Sequence, residues 1–483
     1  MDARVRELVK ATIPVLKEHG VALTTYFYQR MFRGNPELTQ IFNRSHNDSG
    51  KQPTALAMSV LAYAENIDDP SVLAPVITLI ANKHASLGIR AEHYPIVGKH
   101  LLASIKEVLG DAASDELIDA WGVAYGVLAD VLIEAEGKLY TAAANQEGGW
   151  SGWRPFRIID KVAESSEITS FYFAPTDGGP LPAFRPGQYT TLRVFVPEWG
   201  VTQPRQYTLS DAPGLPHFRI SVKREDATDA TPAGRVSNLL HASYNKGDII
   251  DLAVPFGDFY LHEDRHTPVV LISGGVGVTP MISMLKHLIS TAKDRQVQFI
   301  HTCRNAEVLA FGARLHKAAA DNPQLQVHIY HDAAPVAEFG VIGNLDLGEL
   351  GAAVLAPGAD CFHKTDGQFA RGGIDIGRCQ GGPTDLDGIL VPRAVDAAVA
   401  LGHRVREDGP VVGIDKIGVI KSPGLLGRQQ KRHGLGLPHR QLDGAGDALL
   451  VFDPLGQLVG MVARQLAYAL INALERVVAH NHK

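Results

Sequence analysis

The spacing of apolar residues changes twice along the 483-residue chain, and those two changes divide it into three kinds of structure. Over residues 1–147 the spacing is helical. Val5, Leu8, Val9, Ile13 and Leu16 recur at three- to four-residue intervals, which puts them on one helix face. Segments 21–32, 55–67, 70–87, 94–109 and 115–140 repeat the pattern between turns rich in Gly, Pro and Asn. Strand patterning is nearly absent here, so this stretch reads as one all-α domain. The stretch GGWSGWR, residues 148–154, is a linker. Beyond it the period becomes two. ITSFYFAP, QYTTLRVFV, RQYTLS and FRISVKRE alternate apolar and polar residues between Pro/Gly turns, as an antiparallel β domain over 152–262 requires. From 266 to 360 the runs PVVLISGG, VQFIHTC and LQVHIYH read as buried strands and MISMLKHLIST as a helix, the pattern of an α/β domain with a parallel sheet.

Composition narrows the function classes. A chain that is 45% hydrophobic and 20% charged is not bulk disorder. A net charge of −6 leaves no footprint for nucleic acid or an anionic membrane. No apolar run reaches the roughly 18 residues a membrane span needs, and MDARVRELVKATIPVL lacks a signal-peptide core. Three cysteines are no disulfide framework, so a cytoplasmic location is expected. Composition breaks near residue 361. Residues 361–483 hold 19 of the 48 glycines, only four of the 34 aromatics, and a charge of +3 (15 basic, 12 acidic) against −9 for the rest. This stretch stays unassigned, either a fused extension or a reading frame lost near 361.

Three stretches carry chemistry. Ser273, Gly274, Gly275, Val276, Gly277, Val278 and Thr279 follow a strand and open a helix, with Thr279 expected as N-cap and Pro280 as first helical residue. Such a turn lets backbone N–H groups approach a pyrophosphate, although alone it can equally be a tight turn. In the β domain, Arg205, Gln206, Tyr207 and Thr208 lie on a strand, and Gly234 to Asn238 lead into a short helix. The arginine can grip a phosphate and the helix start a second one. In the helical domain, His84 lies one turn after Ile80 and two after Ile77, which by itself fits a core histidine as well as a ligand.

The RQYT and GRVSN stretches followed by GGVGVTP resemble the ferredoxin-reductase type of flavin module. With YFYQRMF, NPEL, IFN, ENI, NKHASLGI, YPIVGKHLL and DAWGVAYGVLADVL, the chain resembles the flavohemoglobin family over residues 1–360. The resemblance implies a globin, an FAD-binding β-barrel and an NAD(P)-binding α/β domain, with haem b, FAD and NAD(P)H as cofactors. It implies nitric oxide dioxygenation, in which NO and O₂ become nitrate, with no obligate protein partner. His84 would be the proximal haem ligand, with Tyr94 and Glu136 orienting it and Lys83 tuning its potential. Phe42 would pack on the haem, Tyr28 and Gln52 would hydrogen-bond dioxygen, and Leu56 would limit access. Tyr189, Arg205, Gln206, Tyr207 and Thr208 would bind FAD, Val236 and Ser237 would cap its pyrophosphate, and residues 273–279 would line the nicotinamide dinucleotide site. After AAVLAPGADC the chain departs from the family pattern: neither its Cys-Gly-Pro turn nor its closing Glu-aromatic-Gly segment is present. The parallel sheet is therefore expected to lack an edge and the nicotinamide site one wall. The alternative function is an O₂- or NO-binding or sensing globin with an impaired reductase.

Overall fold

The computed structural model describes residues 1–229, 231–331, 341–342 and 360–364. The remainder of the unassigned 361–483 stretch lies outside them. The chain opens with α1 (Ala3–Ala11), started by Asp2, whose carboxylate accepts from Val5 N at 2.8 Å. The continuous helical period of residues 5–20 hides a break at Thr12, after which α2 (Ile13–Gly34) begins with Pro14 in its first turn. Then follow α3 (Arg44–Asp48), α4 (Lys51–Glu65), α5 (Ala74–Leu87), α6 (His93–Leu109) and α7 (Asp115–Asn145). Gly88 ends α5 in the left-handed conformation, φ +76°. At Gly98 a Cβ would stand 2.6 Å from the Tyr125 ring, so only glycine lets α6 and α7 approach this closely. Phe27, Met31, Leu61, Trp121 and Tyr63 form the centre of this core, and the Tyr63 hydroxyl donates to Ala124 O at 2.9 Å.

The second unit is a curled antiparallel sheet. Its strands are β1 (Trp153–Ala163), β2 (Ile168–Pro175), β3 (Tyr189–Val196), β4 (Val201–Thr208), β5 (Phe218–Lys223) and β6 (Ile249–Ala253), in the order β4-β3-β6-β1-β2-β5. The two outer strands meet through a bridge between Leu209 and Ile220, which closes the curl. Period-two positions build its core: Phe156 and Ile158, Phe171 and Phe173, Phe218 and Ile220 are all buried. Helix α8 (Arg235–Ser243) packs Val236 and Leu240 into the same core.

The third unit is a parallel sheet in the order β10-β9-β8-β7-β11. Its elements are β7 (Val269–Gly274), α9 (Val278–Thr291), β8 (Val297–Cys303), α10 (Gly312–Asp321), β9 (Leu325–His331), the short β10 (Val341–Ile342) and β11 (Asp360–Lys364). Here the sequence expectation of a missing edge is corrected. β11 pairs with β7 from Asp360 opposite Val269 to Lys364 opposite Ser273, three residues past the point where the motif resemblance stops. Ladder bonds use backbone groups, so the strand forms without the family's side chains. No described helix is long and apolar enough to cross a membrane.

Asp211, between β4 and β5, ties the β unit to α9. Its backbone oxygen accepts from Ser283 Oγ at 2.7 Å, and its carboxylate pairs with Lys286 and, at 3.5 Å, with Arg219. Burial pushes this carboxyl up, but Arg219 and Lys286 outweigh it and hold it below the ordinary 3.8. A depressed folded-state value stabilises the protein above the unfolded carboxylate range, and the contribution is lost as pH falls through the folded value. We expect Asp211→Asn to lower unfolding free energy by roughly 2 kcal/mol at pH 7. Denaturant titrations should show that difference shrinking below pH 4; a pH-independent difference would exclude the carboxylate's charge as its source.

Candidate functional site

A cavity of about 250 Å³ lies within the helical domain and reaches strand β4. One wall is α5. Leu73 and Pro75 start the helix, and its apolar residues Ile77, Ile80 and Leu87 pack inward on the turns that carry His84. The His84 side chain is 32% exposed although it sits inside the fold, because it opens onto the cavity. Its Nδ1 is engaged from behind by Glu136 Oε1 at 2.8 Å and the Tyr94 hydroxyl at 3.2 Å. Tyr94 in turn donates to the same carboxylate oxygen at 2.6 Å. Glu136, on α7, is 2% exposed. Burial and this carboxylate both push the Tyr94 phenol up, so it stays a proton donor. The imidazole is thus held in one orientation with Nε2 making no hydrogen bond among the described residues. That is the donor set of an axial metal ligand with an oriented ring. Beside it, burial brings the Lys83 ammonium down to about 7, and its Nζ has no hydrogen-bond partner among the described residues.

Across the cavity stand Tyr28 on α2 and Gln52 on α4. Gln52 favours the ionised form of the Tyr28 phenol, but burial outweighs it and pushes the phenol well up. The Tyr28 ring is fixed by Phe27, Phe32 and Phe42 at centroid distances of 4.9, 5.8 and 5.9 Å. Phe42 and Leu56 line the same space. Tyr28 and Gln52 in a largely apolar cavity that also holds an oriented imidazole fit a flat apolar macrocycle.

Strand β4 closes one end of the cavity with Pro204, Arg205 and Gln206. Arg205 is 0% exposed, and burial lowers its guanidinium to about 10. Among the described residues Nε lacks a partner, and the other nitrogens reach Pro204 O at 2.7 Å and, at 3.5 Å, Gln203 Oε1 and Ser45 Oγ. A buried guanidinium with an unused donor suits an anionic ligand such as a pyrophosphate. Tyr207 lies in the β core with Val236, while Thr208 pairs with Tyr189 across β3 and β4. Burial pushes both phenols up, and Tyr189 also hydrogen-bonds to Ser86. Val236 and Ser237 sit in the first turn of α8, where unpaired N–H groups point outward.

The glycine turn follows the expected strand but starts its helix differently. Gly275–Gly277 forms a 3₁₀ turn that runs straight into α9 at Val278, so Gly277 is the N-cap. Thr279 is inside the first helical turn, where its hydroxyl donates to Val276 O at 3.0 Å, and Pro280 follows it. Proline is tolerated there because first-turn N–H groups have no helical acceptor. Ser273 Oγ hydrogen-bonds with His301 Nδ1 at 2.9 Å, and Gly274 ends β7 in extended backbone. Val236, Ser237 and residues 273–279 do not line the cavity.

Comparison with known proteins decides the family. A globin model matches residues 25–132 and an oxidoreductase NAD-binding domain model residues 271–343. A flavohemoprotein of Chromobacterium violaceum is 55% identical over 367 residues, 75% of this chain and 91% of that protein. The chain belongs to the flavohemoprotein family. One from Rhizobium meliloti is 49% identical over 367 residues, with the same shares covered. A crystal structure of flavohemoglobin from Malassezia yamatoensis with bound FAD and heme superimposes with a TM-score of 0.67 at 27% identity, over 75% of this chain and 92% of that one. A quarter of this flavohemoprotein lies outside these matches, the same fraction as residues 361–483. The globin and NAD-binding units on one chain make it an oxidoreductase.

Sequence reading passed over four polar residues of this flavohemoprotein that the fold brings to the cavity's edge. Asn82 and Ser86 on α5, and Gln203 on β4, are buried and bonded across the helical and β units. His46 lines the cavity and is 1% exposed. Two of them share one helix face four residues apart, a weak signal, and their partners lie more than 100 residues away in sequence.

Proposed function

We propose that the protein is a nitric oxide dioxygenase, turning NO and O₂ into nitrate with electrons from NAD(P)H. Its cofactors are haem, FAD and NAD(P)H; the haem supplies the iron at which the oxidation occurs and the flavin splits hydride into single electrons. The observation that carries the reading is one cavity lined both by His84, whose Nδ1 is held by Glu136 and Tyr94, and by Tyr28 and Gln52. His84 holds the haem iron, and Glu136 keeps the ligating ring oriented and electron-rich. Tyr28 and Gln52 donate hydrogen bonds to dioxygen, and the surrounding apolar side chains exclude water. Arg205, Gln206, Tyr207, Thr208 and Tyr189 hold the flavin, with Val236 and Ser237 capping its pyrophosphate. Residues 273–279 receive the nicotinamide dinucleotide. We assign 1–147 to the haem unit, 152–262 to the flavin unit and 266–360 to the nicotinamide unit, and place the protein in the cytoplasm.

The test is aerobic NO consumption by the purified holoprotein, followed with an NO electrode and nitrate analysis. We expect consumption that needs NAD(P)H and yields one nitrate per NO. Tight O₂ or NO binding without NAD(P)H-driven turnover would instead assign a binding or sensing globin.

A further inference from the structure

We propose that Gln203, Ser86 and Asn82 are positioning residues, the first two clamping strand β4 to the walls of the cavity and the third holding the loop at Gly257, and that together they fix the separation across which electrons pass from flavin to haem; the inference rests on the reading just given.

Strand β4 carries the flavin candidates Arg205, Gln206, Tyr207 and Thr208, yet two of its buried side chains, Gln203 and Gln206, also bond to the helical unit. Gln203 Nε2 donates to Thr39 O at 3.0 Å, and its Oε1 accepts from Arg44 N at 3.0 Å. Those two backbone groups flank Phe42, which lines the cavity, so Gln203 grips one wall. Gln206 Nε2 donates to Ser86 Oγ at 2.6 Å, and Ser86 lies two residues beyond His84 on α5. One helical turn earlier, on the same face, Asn82 Oδ1 accepts from Gly257 N at 3.1 Å while its Nδ2 donates to Thr78 O at 2.9 Å. Gly257 follows Phe256, whose backbone exchanges two 2.9 Å hydrogen bonds with Tyr189. Gly257 has φ +125°, and a Cβ there would stand 3.0 Å from the Tyr189 ring, so this contact admits only glycine. The helix that presents His84 is therefore bonded both to the flavin strand and to the loop that supports Tyr189.

These named contacts are all neutral hydrogen bonds. They are directional and not screened by salt, so they fix distance at any ionic strength, unlike a charged docking patch. Hydride from NAD(P)H brings two electrons to the flavin, which pass to the one haem singly, in two successive NO oxidations, and the flavin's proton goes to solvent.

The experiment is anaerobic stopped-flow reduction of the full-length holoprotein by NADH under carbon monoxide. Flavin bleaching and ferrous haem formation are read at separate wavelengths, at low and high salt. In Gln203→Ala and Ser86→Ala we expect flavin bleaching within about twofold of the parent and haem reduction slowed about tenfold, the scale of one lost hydrogen bond in the docked arrangement. The parent's haem reduction should not change with salt. Haem reduction at the parent rate in both variants overturns the clamp. Should a variant lose haem or FAD, Asn82→Ala decides by hydrogen exchange: faster exchange at the Gly257 amide together with slower haem reduction is expected, and unchanged exchange overturns the proposal. A parent protein whose flavin bleaches while its haem stays ferric overturns the functional reading, not the clamp alone.

Discussion

His84→Ala should yield a folded protein that no longer holds haem and no longer consumes NO, yet still passes electrons from NAD(P)H to ferricyanide. The loss is large because the ring proposed to meet the iron is removed; disturbing a supporting residue alone typically costs roughly 10–100-fold in metal affinity or activity. The fold should tolerate the change. Alanine is the better helix former, worth about 0.7 kcal/mol at this position. Against that, the buried Glu136 loses its 2.8 Å contact with the ring but keeps the Tyr94 hydroxyl at 2.6 Å, a loss of roughly 1–2 kcal/mol. Ser86 and Asn82, which join α5 to the β unit, are untouched, so the reductase units keep their docking. Absorption spectroscopy after haem reconstitution, an NO electrode and a ferricyanide assay check the three outcomes. A variant that retains the haem band and NO turnover would remove His84 as the ligand. One that loses all three activities would show that the helix, not the ligand, was damaged.

The helix that carries His84 was legible because it is regular, with Ile77 and Ile80 at helical spacing and the ring on the same face, whereas the ligand role of His84 came from the resemblance. The three units were legible for the same reason, since each has its own apolar period. Glu136 and Tyr94 came from resemblance, because nothing local links residues 42 and 52 positions from their partners. The same distance hides Gln203, whose acceptor at Thr39 lies 164 residues away. A glutamine on a strand carries no mark of which carbonyl it will meet. Local readings failed where two elements share one period. The break at Thr12 leaves the apolar spacing of α1 and α2 unchanged. The 3₁₀ turn at Gly275–Gly277 moves the helix start two residues ahead of Pro280. The strand at Asp360–Lys364 formed past the end of the recognisable motifs because its pairing is a backbone property. Motif loss therefore speaks to the nicotinamide contacts that side chains make, and not to the sheet.

Tyr28→Phe isolates a single hydrogen bond. The ring is held by Phe27, Phe32 and Phe42 on contacts that phenylalanine keeps, so only the hydroxyl is lost. Burial raises the phenol's pKa, so the group is a proton donor throughout the pH range in which the enzyme works, and no loss of activity on the alkaline side up to pH 9 should trace to it. In the free protein its partner is Gln52; during turnover the same hydroxyl would donate to the negative charge that develops on dioxygen. Removing one such donor from a dry site costs roughly 10²–10³-fold in rate. Gln52 remains, so turnover should fall by about that factor rather than vanish, and O₂ should leave faster by a comparable amount. Haem content should be unchanged, because His84 and its supports are on the other wall. NO consumption at saturating NADH, with O₂ dissociation measured by displacement with carbon monoxide, gives both numbers. If O₂ leaves faster while NO turnover stays at the parent rate, Tyr28 retains ligand without assisting chemistry. If neither changes, the Tyr28–Gln52 pair is a packing contact and the dioxygenase reading loses its oxygen-side support.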